Sequence, residues 1–258
     1  MIEQKPLTII LSGEHKHLFK KWVNALLILN DSRDSYFRLK LLKTKDGLFV
    51  RQLNDLRVTL VESKFDKKLF KEFTKEPLEI EIDLKAFTKG LNLFSKETDD
   101  LRITFDIINN DFIIQDDMTK ATIEIFKENK IKTFPSPEMP ESSIQCKVES
   151  MALLSAFKSA RKISDDIIIS QMKSCFLKFV AKDLDITFEQ LVPIISNRTL
   201  PDVKSCYSTH FLAEIKPACQ LNYYVNIELA QHMPIALTWY FGKNSYFKFF
   251  CSPRIECE

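Results

Sequence analysis

Catalysis by this chain would have to start from few groups. Its 4 histidines are His15, His17, His210 and His232. The first two stand two apart on a helical stretch, so their side chains diverge, and His210 and His232 lack a serine or cysteine partner in any nucleophile motif. The carboxylate pairs Asp116-Asp117 and Asp165-Asp166 fall at strand ends, where solvated acids are expected. The 6 cysteines (Cys146, Cys175, Cys206, Cys219, Cys251, Cys257) form no CxxC and have no histidine at zinc-finger spacing. They are expected as reduced thiols without a metal. Only 4 glycines occur, at Gly13, Gly47, Gly90 and Gly242, so neither GxGxxG nor a GxxxxGK[ST] phosphate loop can be built. No catalytic residue, metal or cofactor is expected, and the chemistry that remains is binding by charge and by apolar contact.

Charge is where the sequence is uneven. Lys and Arg number 37 and Asp and Glu 35, a net +2 over 258 residues. Four helical stretches, 15–30, 84–96, 151–162 and 209–219, hold ten basic residues and one acid, Glu214. The rest of the chain is left with 27 basic and 34 acidic residues. In the first stretch Leu18, Phe19, Trp22, Val23 and Leu26 share one side, with Lys16, Lys20, Lys21 and Asn24 on the other. In the second, Leu84, Phe87, Leu91 and Phe94 oppose Lys85, Thr88, Lys89, Asn92 and Lys96. In the third, Leu154, Phe157 and Ile163 oppose Ser155, Lys158, Ser159 and Lys162. Each helix buries one face and presents a cationic other, a set of point charges suited to phosphate backbone rather than to reading bases. These faces, with Lys216 from the last stretch, nominate Lys16, Lys20, Lys21, Lys85, Lys89, Lys158, Lys162 and Lys216 as candidate contacts to a phosphate backbone, the alternative for any one helix being an ordinary solvated lysine face.

The elements that must carry those helices alternate between strand and helix periods. Expected strands are Leu7 to Leu11, Tyr36 to Lys43, Leu48 to Leu53 after a Lys45-Asp46-Gly47 turn, Leu56 to Glu62, Leu78 to Ile82, Leu101 to Ile107, Phe112 to Gln115 and Thr119 to Phe126. Lys127 to Ser143 carries Pro135, Pro137 and Pro140 and reads as an extended connector. The plan then repeats: strands at Ile144 to Val148, Asp166 to Ser170, Cys175 to Val180, Leu184 to Leu191, Tyr223 to Leu229, Ile235 to Phe241 and Tyr246 to Phe250, with helices Met151 to Lys162 and Thr209 to about Lys216, the last ended by Pro217. The expected fold is α+β, two similar domains of sheet plus two helices, at 1–126 and 144–258, joined by the connector 127–143. No apolar run reaches the about 18 residues needed to cross a bilayer and no secretory signal is seen, so an intracellular protein without membrane contact is expected.

Phe19-Lys20-Lys21, Asp165-Asp166-Ile167-Ile168-Ile169-Ser170 and the ending from Met233-Pro234 through Phe249-Phe250-Cys251-Ser252-Pro253-Arg254-Ile255-Glu256-Cys257-Glu258 resemble the sliding clamp family of proliferating cell nuclear antigen. The similarity runs over nearly the whole chain. It implies a non-enzymatic processivity factor for DNA replication and repair, a homotrimeric ring of six domains whose helices line a channel for double-stranded DNA, located in the nucleus if the source is eukaryotic. A subunit of a heterotrimeric replicative or checkpoint clamp is the alternative. Thr119 to Phe126 and Leu184 to Glu189 are then the edge strands expected to pair between subunits. The family's DNA-facing positions fall on Lys20, Lys21, Lys89 and Lys158, whereas Leu27 and Asn92 stand where the family has lysines, and Pro217 beside Lys216 at a third such place. Its pocket for DNA polymerase, clamp loader and other motif-bearing partners, which takes one aliphatic and two aromatic anchors, falls on Leu53, Arg57, Val58, Leu60, Phe134, Pro135, Pro234, Phe250, Cys251, Ser252 and Pro253. Arg57 replaces the usual histidine. Lys173 matches the family's modification lysine.

Overall fold

A computed structural model describes residues 6–30, 37–94 and 99–255, apart from 129, 133, 142, 172–174 and 198–201. The chain divides into two compact units, one made of 1–55, 61–134 and 241–246 and the other of 56–60, 135–240 and 247–258.

The first unit contains β1 (Leu7–Leu11), α1 (Lys16–Leu26), β2 (Arg38–Thr44), β3 (Gly47–Leu53), β4 (Thr59–Asp66), β5 (Phe70–Glu72), β6 (Leu78–Asp83), α2 (Leu84–Asn92), β7 (Leu101–Asp106), β8 (Asp111–Gln115) and β9 (Lys120–Glu124). One sheet has the order β5-β1-β7-β8-β9, and β4-β3-β2-β6 forms another run of paired strands. Alternation in β1 and β7 turns Ile9, Leu11, Ile103 and Phe105 inward. On the apolar stripe of α1, Phe19, Trp22, Val23 and Leu26 are buried. Phe19 packs edge-on against Phe65 and Phe87, and Phe87 edge-on against Phe112 at 5.1 Å between ring centres. The Trp22 indole N–H has a partner in the Ser63 hydroxyl, which donates to the Tyr246 carbonyl at 2.9 Å. The turn before β3 closes at Gly47, whose φ is +145° and whose Cβ, if present, would sit 2.2 Å from the Phe65 carbonyl oxygen. Only glycine fits there.

The second unit repeats the plan with β10 (Ile144–Glu149), α3 (Ser150–Arg161), β11 (Asp166–Gln171), β12 (Phe176–Lys182), β13 (Thr187–Pro193), β14 (Ser196–Asn197), β15 (Val203–Ser208), α4 (Thr209–Leu212), α5 (Lys216–Cys219), β16 (Tyr224–Leu229), β17 (Ile235–Phe241) and β18 (Ser245–Cys251). Its strand orders are β13-β12-β11-β15 and β14-β10-β16-β17-β18. On α3, Leu153, Leu154, Ala156, Phe157 and Ala160 are buried, and Phe157 meets Phe179 edge-on. The buried Ser150 fixes the helix start: its hydroxyl accepts from the Trp239 indole at 3.0 Å and donates to the Asn222 carbonyl at 2.9 Å.

The differences from the sequence reading have physical causes. The strand expected at Leu56 begins at Thr59, because Arg57 takes a left-handed φ of +57° and leaves Leu56 in an exposed turn. Pro217 does not end a helix. It lies in the first turn of α5, where its missing N–H has no intrahelical partner to lose. The sequence reading omits β5, β14 and β15. In β15 the alternation Val203, Ser205, Tyr207 is interrupted by a serine, yet Ser205 is buried because its hydroxyl donates to the Ala230 carbonyl at 3.0 Å.

Candidate nucleic-acid interface and partner-binding surface

With the helix bounds in hand, the charge asymmetry sharpens. The segments α1, α2, α3, α4 and α5 contain no acidic residue, since Glu214 lies between α4 and α5. Within the first unit α1 packs beside α2, and within the second α3 packs beside α4 and α5. Exposed on these helices and their ends are Lys21, Lys89, Lys158, Lys162 and Lys216, with Lys20 and Lys85 half-buried. Lys158, Arg161 and Lys162 gather at the C-terminal end of α3, the negative end of its dipole.

Three positions differ from the expected pattern. Lys16 is only 1% exposed, so it is not part of the cationic face; it lies near Asp100 and helps hold that carboxyl low, after the larger contributions of the Lys71 ammonium and the Gly13 amide. Lys20 donates to the Phe94 carbonyl at 2.6 Å, which ties α1 to the end of α2 and directs its charge there. Arg161 forms an ion pair with Glu214 and a 3.2 Å contact with Nδ1 of His210, so the acid of the fourth stretch is neutralised by a neighbouring helix. Lys173 lies outside the described residues.

The residues expected at a partner pocket separate by burial. In the second unit Leu60, Phe250 and Cys251 are 4%, 2% and 0% exposed and act as core beneath the surface. Val58, Pro234, Ser252 and Pro253 are half-buried, and Arg57 is exposed. They are held together by backbone: the Ser252 N–H donates to the Val58 carbonyl at 2.9 Å, and Pro253 bridges to Tyr207. The Tyr207 hydroxyl donates to the Met233 carbonyl at 2.9 Å, fixing the turn that carries Pro234. Burial is the cause that pushes this phenol above its ordinary range. Arg254 pairs with Asp166 at 2.6 Å and its N–H donates to the Cys206 carbonyl. Neither Tyr207 nor Ser205 was expected at this surface, because the strand that holds them has no clear hydrophobic period. Leu53 and Phe134, both half-buried, belong to the first unit, and Pro135 is exposed in the second.

Of the cysteines, Cys206 and Cys251 belong to the strands that form this surface. Burial pushes the Cys146, Cys219 and Cys251 thiols up to about 12, which leaves them protonated and unreactive at neutral pH. Cys206 is disulfide-bonded, which departs from the expectation of a fully reduced set. Among the free thiols Cys175 is exposed. A brief alkylation pulse on the folded chain, read by peptide mass spectrometry, is expected to label Cys175 well ahead of Cys146, Cys219 and Cys251; equal labelling would contradict the packing of β10 and β18.

Among the described residues each unit ends one sheet on a strand with an outward N–H row, β9 and β13, the chain after β9 being bridged to β6 at Ile125 and Ile82. In β9 the Ile125 N–H donates to Asn110 on the β8 side, so by alternation the N–H groups of Lys120, Thr122 and Glu124 face away from β8. In β13 the Ile194 N–H donates to Cys175 on the β12 side, which leaves Thr187, Glu189 and Leu191 directed outward. Pro193 also falls on the outward set, where a residue without N–H breaks no ladder bond.

This arrangement is that of a sliding-clamp fold. The solved proliferating cellular nuclear antigen from Entamoeba histolytica superposes with a TM-score of 0.84 at 16% identity, over 96% of this chain and 98% of that one. PCNA from Thermococcus kodakaraensis gives 0.78 at 21% identity over 96% and 99%, and the PCNA2-PCNA3 complex from Sulfolobus tokodaii 0.80 at 17% over 97% and 100%. In sequence the chain is 24% identical over 250 residues to the DNA polymerase sliding clamp of Methanococcoides burtonii, covering 94% of this chain and 97% of that protein. The corresponding protein of Methanosarcina barkeri is likewise 24% identical over 250 residues, covering 93% and 96%. No protein-family model matches. The chain is PCNA-like in fold along nearly its full length, and its sequence is similar to archaeal sliding clamps.

Proposed function

We propose that this protein is a non-enzymatic DNA sliding clamp subunit: copies join edge to edge into a closed ring of three, duplex DNA passes through a channel lined by the helices, and polymerases and other replication or repair proteins are tethered at the outer surface. The observation that carries this reading is the absence of any acid from five helices spread over two repeated units, while the remainder of the chain is acidic on balance. A surface of separated lysines attracts phosphate without reading sequence, and encirclement rather than affinity then keeps the protein on DNA. The similarity to proteins named DNA polymerase sliding clamp supports the polymerase as a partner. Pairing of the outward N–H rows of β9 and β13 would satisfy two edges at once and close by rotation. A ring with related subunits is the second reading, favoured by the likeness to the PCNA2-PCNA3 complex. Native mass of the purified chain separates them: a value near three chains supports self-assembly, and a persistent monomer that trimerises only with other subunits supports the mixed ring.

The partner surface has its own test. Val58→Ala combined with Pro253→Ala removes apolar contact at half-buried positions without opening the core. It is expected to weaken a peptide bearing one aliphatic and two aromatic anchors about tenfold or more, since such anchors dominate peptide affinity. Titration calorimetry reads this directly. Leu60→Ala is a poorer probe, because emptying a buried leucine site costs about 2–5 kcal/mol of stability by itself.

A further inference from the structure

In the first unit, two charged side chains from neighbouring strands, Glu81 and Lys40, converge on one backbone unit of the connector, that of Ile131. On β2, Arg38 and Lys40 lie across from β6, which carries Glu79 and Glu81. Lys40 pairs with Glu79 at 2.7 Å and Arg38 with Glu81 at 3.3 Å. This is a cross-strand charge ladder of a kind common on wet sheet faces, yet two of its members are dry: Glu81 is 0% exposed and Lys40 7%, while Arg38 is half-buried and Glu79 exposed. Chain from the start of the connector interacts with it. The Phe126 N–H donates to the Glu81 carbonyl at 2.8 Å, and the Arg38 guanidinium stacks 3.9 Å above the Phe126 ring and donates to the Glu128 carbonyl at 3.1 Å. Ile131 is then held at both of its polar groups. Its N–H donates to the Glu81 carboxylate at 2.7 Å, and its carbonyl accepts from the Lys40 ammonium at 3.2 Å.

A buried carboxylate is tolerated only where its oxygens are satisfied, and losing one partner of such a set costs more than the bond itself. Glu81 therefore ties the unit's sheet to the connector at a defined residue. Phe134 lies three residues further on, within about 11 Å of extended chain, so fixing Ile131 confines Phe134. We propose that Glu81 and Lys40 are positioning residues for partner binding: by gripping the backbone of Ile131 they hold the connector, and with it Phe134, in the pose that receives a peptide with one aliphatic and two aromatic anchors. This rests on the partner-binding reading above.

Two measurements on the full chain test it. Amide exchange of the unaltered protein should show the Ile131 N–H protected, with that protection lost in Glu81→Ala; an Ile131 amide exchanging at the rate of open chain in the unaltered protein overturns the clasp, even if the variant does not fold. In titrations with a short synthetic peptide carrying those anchors, Glu81→Ala and Lys40→Met are each expected to weaken binding about tenfold, the scale of one charge-assisted hydrogen bond. Glu81→Gln keeps an acceptor for the Ile131 N–H and should regain most of the affinity. Equal affinity in all of these proteins overturns the positioning role, whereas a peptide that fails to bind the unaltered chain overturns the partner reading instead.

Discussion

Reversing Lys21, Lys89, Lys158 and Lys162 to glutamate in one chain is expected to abolish DNA-dependent stimulation of a polymerase while leaving the fold intact. All four are exposed, so the substitutions empty no cavity and strand no buried partner. Each replaces an attractive charge by a repulsive one facing a phosphate array with one charge per about 1.7 Å of duplex. The salt dependence of duplex binding is a finer readout: each lysine lost from phosphate contact lowers the slope of log K against log salt by about 1, so about 4 per chain. Lys20 is left out of this set because its ammonium holds the Phe94 carbonyl and its reversal would disturb α1 and α2 directly. Unchanged stimulation, or an unchanged salt slope, would move the DNA surface away from these helices.

The second large effect is expected at the sheet edges. Thr122→Pro removes an N–H that faces away from β8, and Leu191→Pro does the same on the free side of β13. Neither donor serves a bond inside its own sheet, so each single unit should still fold, while pairing with another subunit loses a ladder bond and meets a proline ring. Native mass is expected to fall from near three chains to one for either variant, with unchanged circular dichroism. An assembly that keeps its mass with both substitutions would show that subunits meet elsewhere. The exposed Leu184, Ile186, Leu191 and Ile195 near β13 argue that this region is covered in the assembled state.

Much of this molecule is legible from its residues because hydrophobic period and burial coincide. Ile235–Phe241 is found with the expected bounds, and the stripes Phe19, Trp22, Leu26 and Phe87, Leu91 are buried as helical phase requires. What stayed hidden depends on partners distant in sequence. Ser205 is accommodated in the buried strand Val203–Ser208 because its hydroxyl finds the Ala230 carbonyl, and Lys16 reads as a surface lysine until the packing around it leaves it 1% exposed. At the partner surface, composition could not separate the half-buried Val58 and Pro253 from the core residues Leu60 and Phe250, since all four are apolar. The Glu81 clasp is invisible in sequence for a related reason: alternating charge on β2 and β6 is what a solvated sheet face would also carry, and only the connector lying over it changes the meaning.

The claim on which the rest depends is that the protein holds DNA by enclosing it. It is tested most directly by placing the labelled protein on a nicked circular duplex with its loading machinery, removing the loader, and following retention before and after a single cut that linearises the circle. The account predicts stable retention on the circle and rapid loss from the free ends of the cut molecule. Equal retention on both would contradict it.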